Sequence, residues 1–145
     1  MRAVVQRVRD ASVGIAAETV AEVGPGVVVL LGVASGDSEA DAERLAAKIA
    51  RLRIFENDEG RFDRSLLAVS GEALVVSQFT LIADTRKGNR PSFTDSADPG
   101  DAEPLYERFC AALEEEGVRV SRGVFGARMQ VALVNDGPVT IILEV

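Results

Sequence analysis

The spacing of apolar residues predicts a chain that is rich in β-strands and contains two helices. Residues 1–9 alternate between apolar and polar positions, as a strand with one buried face does. Val27–Val33 is apolar at every position, so we expect a strand that is buried on both faces. Similar patterns predict further strands near 12–16, 19–23, 72–78, 118–122, 128–134 and 139–145.

Capping signals mark the two predicted helices. Ser38 is a good N-cap residue, and the helix that it begins is expected to run to about Arg53. The second helix is expected to begin after an N-cap at Asp101 and to end at Gly117. Strands that follow one another at both ends of the chain favour antiparallel pairing. The predicted fold class is therefore mixed α/β and largely antiparallel, with two helices packed on a β-sheet.

Length and composition indicate one globular domain that spans residues 1–145. Apolar residues make up 47% of the chain and charged residues 27%, as in soluble proteins. The longest apolar run, Val27–Ala34, is too short to cross a bilayer, so no membrane association is expected. The single cysteine, Cys110, excludes an intrachain disulfide. A reducing cytoplasm is the expected location.

The formal net charge of −7 argues against binding along a nucleic acid at many phosphates, so no DNA partner is expected. It does not exclude contact with one RNA end. Each local group of basic residues is equally compatible with an ordinary solvated face. These groups are Arg2, Arg7 and Arg9; Arg86, Lys87 and Arg90; and Arg119, Arg122 and Arg128.

The chain contains no histidine, which excludes Ser-His-Asp and Cys-His sites and the usual imidazole acid or base. With one cysteine as well, the common zinc sites are excluded, and we predict no metal and no cofactor. The segment 57–60 superficially resembles a calcium loop, but its glycine offset does not fit. A polar hairpin turn is the better interpretation.

Two segments stand out as candidates for function. Ser77-Gln78-Phe79-Thr80-Leu81 ends an apolar strand, and Gly137-Pro138 lies between two predicted strands. Glycine and proline there present main chain with little side chain in the way. From residues 135–140 alone, a hairpin turn is the favoured interpretation. For Ser77 and Thr80, ordinary strand or turn hydrogen bonding is favoured on the same grounds.

Taken together, these segments resemble the D-aminoacyl-tRNA deacylases of the bacterial type. The resemblance covers nearly the whole chain, and the order and spacing of its motifs make it specific. The motifs that carry it are the opening 1–8, Ser77–Leu81, the loop Ala83–Phe93, Gly123–Met129 and Asn135–Thr140. The resemblance implies a three-layer α/β/β fold and an obligate homodimer. It also implies hydrolysis of the ester between a D-amino acid, or glycine, and the 3′-terminal adenosine of tRNA.

The resemblance also implies roles for individual residues. Ser77, Gln78, Phe79 and Thr80 would form the catalytic segment, with main-chain N–H groups of Phe79 and Thr80 as candidate oxyanion donors. The ribose 2′-hydroxyl of the terminal adenosine is thought to take part in this family. That suits a chain in which Thr80 has no histidine to activate it.

Chiral selection is assigned by the resemblance to Gly137-Pro138 in the cis form, reaching into the neighbouring subunit's site. Such a main-chain wall would reject every L-residue whatever its side chain. Phe125 would stack near the terminal adenine, and Met129 would line the aminoacyl end; both are equally compatible with core positions. Arg7 would support the site or a phosphate, with a surface salt bridge as an equal alternative.

Two other classes of function compete with this one. A non-catalytic module that binds an RNA end or the ribosome is the alternative, although the acidic balance and absent RNA-binding signatures weaken it. A Thr80-dependent acyl hydrolase without an RNA partner is the third. An acyl-Thr80 intermediate would separate it from the first.

Overall fold

The computed structural model describes all residues 1–145 and contains eight strands, two α-helices and a short 3₁₀ turn. The strands are β1 (Arg2–Ile15), β2 (Glu18–Val23), β3 (Gly26–Gly32), β4 (Phe55–Glu56), β5 (Phe62–Arg64), β6 (Glu72–Ser77), β7 (Arg119–Arg122) and β8 (Gln130–Glu144). The helices are α1 (Glu39–Arg51) and α2 (Pro99–Glu115), and the 3₁₀ turn is Phe79–Ile82. No helix is both long and apolar enough to span a membrane.

One main sheet contains most of the strands, in the order β2-β1-β3-β6-β7, and β8 pairs with β1 as well. The three pairs that involve β1 are antiparallel, whereas β3–β6 and β6–β7 are parallel. The predicted mixed and largely antiparallel class is therefore confirmed. β1 is long enough to pair with β3 through its first half and with β2 through its second, so it connects two layers.

Two apolar clusters separate three layers. The larger lies between the sheet and the helices, where Val29 and Val75 meet Leu45, Ile49 and Phe109. The smaller lies on the opposite face of β3 and β6. It joins Val13 and Val23 of the outer layer to Val28, Leu74 and Val76 of the inner one. This is the α/β/β arrangement that the sequence resemblance implies.

The helix caps agree with the sequence at one helix and differ at the other. Ser38 caps α1, and its reciprocal bonds with Asp41 form a capping box and lower the pKa of the Asp41 carboxyl. The cap predicted at Asp101 is wrong, because α2 begins three residues earlier. Asp98 is the N-cap, Pro99 occupies the first helical position, and Ala102 N donates to Asp98 O over 2.8 Å.

Strand boundaries differ from the prediction at both ends of the chain. The strands predicted at 1–9 and 12–16 form one continuous strand, β1. The hairpin turn favoured at 135–138 is also wrong, because both halves of β8 run in one direction along β1. Val8 pairs with Asn135 and Gln6 with Thr140, so 136–139 has no partner on β1. These four residues form a bulge, where proline is tolerated because no ladder hydrogen bond needs its missing N–H.

Candidate active site

The 3₁₀ turn at the end of β6 exposes main-chain donors. The ladder between β3 and β6 ends where Gln78 N donates to Leu31 O at 2.8 Å. The first bond of the turn then runs from Leu81 N to Gln78 O at 3.2 Å. The N–H groups of Phe79 and Thr80 fall between these two bonds, so they have no acceptor inside the turn. This fits the strand end that the sequence analysis predicted.

Gly32, which ends β3, lets this turn pack tightly and was missed by sequence reasoning. A Cβ at this position would lie 3.0 Å from Leu81 Cβ and 3.1 Å from Gln78 O. Such approaches require neighbours to move. The only local signal was a glycine at the end of an apolar run, which is typical of many strand ends.

A pocket of about 500 Å³ lies between the 3₁₀ turn and the segment that precedes β8. Five of the nine predicted site residues line it: Ser77, Gln78, Phe79, Phe125 and Met129. The remaining wall comes chiefly from the beginning of α2 and from small residues beside Phe125. The lining is mostly apolar with polar groups at the 3₁₀ turn, as is usual for a small-molecule site.

An exposed aromatic pair stands at this pocket. Phe79 is 56% exposed, and its ring meets that of Phe93 edge to face with centroids 5.0 Å apart. Ser96 Oγ donates to Phe79 O at 3.3 Å. The loop 83–96 is thereby tied to the turn that carries the main-chain donors.

Phe125 and Met129 belong partly to the pocket and partly to the core. Phe125 is half-buried, lines the pocket and packs against Tyr106 with ring centroids 6.0 Å apart. Met129 lines the pocket, and its Sδ would lie 2.9 Å from a Cβ placed on Gly123. The two interpretations from sequence, pocket wall and core, therefore describe two sides of the same side chains.

Arg7 anchors the bulge of β8. It is only 6% exposed, its Nε donates to Asp136 O at 2.9 Å, and its Nη1 donates to Ile54 O at 2.8 Å. The bulge that it holds contains Gly137 and Pro138, which are exposed and joined by a cis peptide bond, as the resemblance implied. Neither residue lines the pocket of its own chain.

Comparison with known proteins identifies the family of this chain. A family model described as D-Tyr-tRNA(Tyr) deacylase matches residues 4–144. The chain belongs to the D-Tyr-tRNA(Tyr) deacylase family. It is 60% identical to the D-aminoacyl-tRNA deacylase of Roseiflexus castenholzii over 144 residues, which cover 99% of this chain and 92% of the relative. It is 54% identical to that of Ruegeria pomeroyi over the full length of both.

Solved structures of related chains agree with the fold of this deacylase family. A protein described as c-Myc DNA Unwinding Element Binding Protein superposes with a TM-score of 0.94 at 42% identity, covering 100% of this chain and 99% of that one. A probable eukaryotic D-amino acid tRNA deacylase superposes with a TM-score of 0.85 at 18% identity, over 99% and 98%, which shows the fold alone. The expected family and enzyme class, an ester hydrolase, are confirmed.

The side chains of this deacylase offer no activated nucleophile at the site. Thr80 is exposed, does not line the pocket, and its hydroxyl accepts a hydrogen bond from Gln78 Nε2. Burial raises the pKa of the Cys110 thiol to about 12, so it packs as a small apolar residue and is not a nucleophile. No cluster of three or more acidic or cysteine side chains is placed to hold a metal ion.

Proposed function

We propose that this chain hydrolyses the ester that joins a D-amino acid, or glycine, to the 3′-terminal adenosine of tRNA. Family membership supports the reaction class. The observation that carries the proposal is the pocket between residues 125–129 and the 3₁₀ turn, whose first two N–H groups have no acceptor inside the turn. An aminoacyl ester is already activated, so a positioned carbonyl and stabilisation of the oxyanion supply most of what hydrolysis needs.

Main chain performs the chemistry in this proposal. Water is the nucleophile: its oxygen forms a bond to the carbonyl carbon, the bond to the ribose 3′-oxygen then breaks, and a proton from the water passes to that oxygen, which leaves as a hydroxyl. The N–H groups of Phe79 and Thr80 donate to the oxyanion that forms between these steps, a contribution of about 2.7–4 kcal/mol for each donor in comparable sites. The ribose 2′-hydroxyl takes part in place of a side-chain base, since the chain has no histidine.

The apolar side of the pocket holds the two ends of the substrate. Met129 lines the part that receives the amino acid, where a soft, flexible side chain accommodates many substituents. Phe125 stacks near the terminal adenine, which holds a base without reading its identity. Ser77 and Gln78 hold the turn at the end of β6 and complete the wall.

A second copy of the chain completes the site. β8 is 15 residues long and pairs with β1 on one side only, so its other edge has no partner strand. Ile142 on this strand is 66% exposed, and Val131 and Val134 are exposed too. A long, exposed apolar strand edge can pair with a strand or sheet of another chain. We therefore assign a homodimer in which β8 lies at or near the interface.

Chiral selection follows from the same strand. Gly137 and Pro138 do not line the pocket of their own chain, and in this proposal they reach the pocket of the partner. The carbonyl groups of Gly137 and Pro138 would accept from the substrate ammonium and occupy the space that an L-side chain needs. A wall at the α-carbon discriminates handedness for any side chain and lets glycine pass.

The decisive test is hydrolysis of D- and L-tyrosyl-tRNA by the purified protein. We expect cleavage of the D-ester only, and Thr80→Ala should keep much of that activity. Cleavage of neither ester would overturn the proposal. A trapped acyl-Thr80 intermediate, seen by mass spectrometry, would instead show covalent catalysis by the hydroxyl.

Binding without catalysis is the second candidate, because the structural relative at 42% identity is named for binding, in its case to a DNA unwinding element. The same assay separates the two functions, because a binding module would bind the RNA end and leave both esters intact.

A further inference from the structure

Most basic side chains of this acidic protein are already neutralised. Of its 16 lysines and arginines, eleven form an ion pair with a carboxylate. The cations that lack an acidic partner are Lys48, Arg61, Lys87, Arg90 and Arg128, and all five are exposed. They are the side chains whose charge remains available to an anionic ligand.

Three of these five lie in or next to segments that contact the pocket: Arg128 in the lining segment itself, and Lys87 and Arg90 in a loop joined to it by one aromatic contact. Arg128 stands between Ala127 and Met129, both of which line it. Lys87 and Arg90 lie in the loop 85–91, which is closed by paired main-chain bonds between Asp84 and Ser92, each of 2.8 Å. Phe93 follows directly and packs on the pocket residue Phe79.

Arg86 lies in the same loop but differs from these three. Its guanidinium donates two parallel hydrogen bonds to the Asp84 carboxylate, from Nε to Oδ1 at 2.9 Å and from Nη2 to Oδ2 at 2.6 Å. This pair neutralises the charge locally and shapes the beginning of the loop. The free cations of the loop are therefore the two beyond it.

We propose that Lys87, Arg90 and Arg128 form a phosphate-binding rim that contacts the single-stranded acceptor end of aminoacyl-tRNA. This inference rests on the proposed function. A net charge of −7 repels RNA in general, so attraction restricted to the pocket mouth would admit one strand end and disfavour other contacts. The aromatic ring of Phe79 between the loop and the pocket offers a surface on which an unpaired base can stack.

Salt dependence tests the rim directly. Each phosphate contact on a single strand contributes about 0.7 to the slope of log affinity against log salt. Replacing all three residues by glutamine should make the slope of log kcat/KM for D-tyrosyl-tRNA against log salt shallower by about 2. Between 50 and 150 mM salt, the wild-type rate should then fall about tenfold more than that of the variant.

Two controls separate phosphate contact from damage to the site. D-tyrosyl adenosine carries the ester without any phosphate, so the triple variant should cleave it at the wild-type rate. Lys48→Gln removes an unpaired cation from the exposed side of α1 and should leave the salt slope unchanged, whereas Lys87→Gln alone should lower it by about 0.7.

The possible outcomes distinguish the rim from the activity. Cleavage of both substrates by the wild type, with an unchanged slope in the triple variant, would overturn the rim alone. If the triple variant loses the same fraction of kcat/KM on both substrates, the rim is also overturned, because the loss then does not depend on phosphate. If the wild type cleaves neither substrate, the proposed activity is wrong and the rim falls with it.

Discussion

Arg7→Lys is the substitution that best tests whether the bulge of β8 governs chiral selection. The arginine fork reaches two carbonyl oxygens at once, Asp136 O in the bulge and Ile54 O after α1. Lysine keeps the charge, but a single ammonium cannot donate along both directions of that fork. A hydrogen bond from a charged group contributes about 1.5–3 kcal/mol, so losing one of the two should destabilise the fold by about that amount.

The functional effect follows from what the arginine holds in place. Without its bond to Asp136 O, the bulge that carries Gly137 is free to shift, while the pocket and the 3₁₀ turn remain as they are. We expect the ratio of kcat/KM for D- over L-tyrosyl-tRNA to fall by about tenfold or more, which corresponds to 1.4 kcal/mol of lost discrimination. The free energy of unfolding should be measured in urea at one fixed protein concentration.

Arg53→Lys is the matched control. Arg53 Nε also donates to a main-chain oxygen, Asp63 O at 2.6 Å, but its side chain is 67% exposed and does not touch the bulge. Arg53→Lys should lower the free energy of unfolding by about 0–1 kcal/mol and leave the D/L ratio of kcat/KM unchanged. If Arg7→Lys destabilises the protein while the D/L ratio keeps its wild-type value, the bulge does not select chirality and the reasoning is refuted.

Three further predictions test the interface, the turn and the loop. Ile142→Lys should halve the mass measured by light scattering and lower the D/L ratio of kcat/KM, whereas Val20→Lys, at an exposed valine of β2, should do neither; a monomer with the wild-type D/L ratio would contradict the shared site. Gly32→Ala should lower the free energy of unfolding by about 1–3 kcal/mol through overpacking, and it should reduce kcat for the D-ester because the 3₁₀ turn must move. An unchanged kcat would show that the turn takes no part in the reaction. The bond to Arg86 lowers the pKa of Asp84 to about 2, so its stabilising effect should be complete above about pH 4 and be lost as the pH falls through 2; a carboxyl midpoint near 4, seen by NMR titration, would show that the pair does not form in solution.

Local signals predicted the elements well where one pattern had one structural meaning. Ser38 followed by acidic residues gave the beginning of α1, and the unbroken apolar run at 27–33 gave a strand buried on both faces. Pro99 shows where such signals compete. Residue preferences at the N-cap favour Asp101 as much as Asp98, and the choice depends on where proline best fits the first turn.

The site was less accessible to sequence reasoning because its parts are defined by distant partners. Gly-Pro between two strands has the same local signature in a hairpin turn and in a bulge. Only the pairing with β1, more than a hundred residues earlier, decides between them. The role of Gly32 is equally nonlocal, since it depends on atoms of the 3₁₀ turn. Residues 77–80 and 125–129 were identified through family resemblance, which records such distant relations.

Two features of β8 make dimerisation and chiral selection inseparable in the proposed enzyme. The strand has an apolar edge without a partner strand, and it also carries the bulge whose Gly137 and Pro138 do not line the pocket of their own chain. A monomer would therefore keep the donors of Phe79 and Thr80 but lose the wall opposite them. If the wall only excludes L-residues, a monomeric variant should begin to cleave L-tyrosyl-tRNA. If the wall also binds the substrate ammonium, the same variant should lose the D-ester instead, and comparison of the two rates decides which contribution is larger.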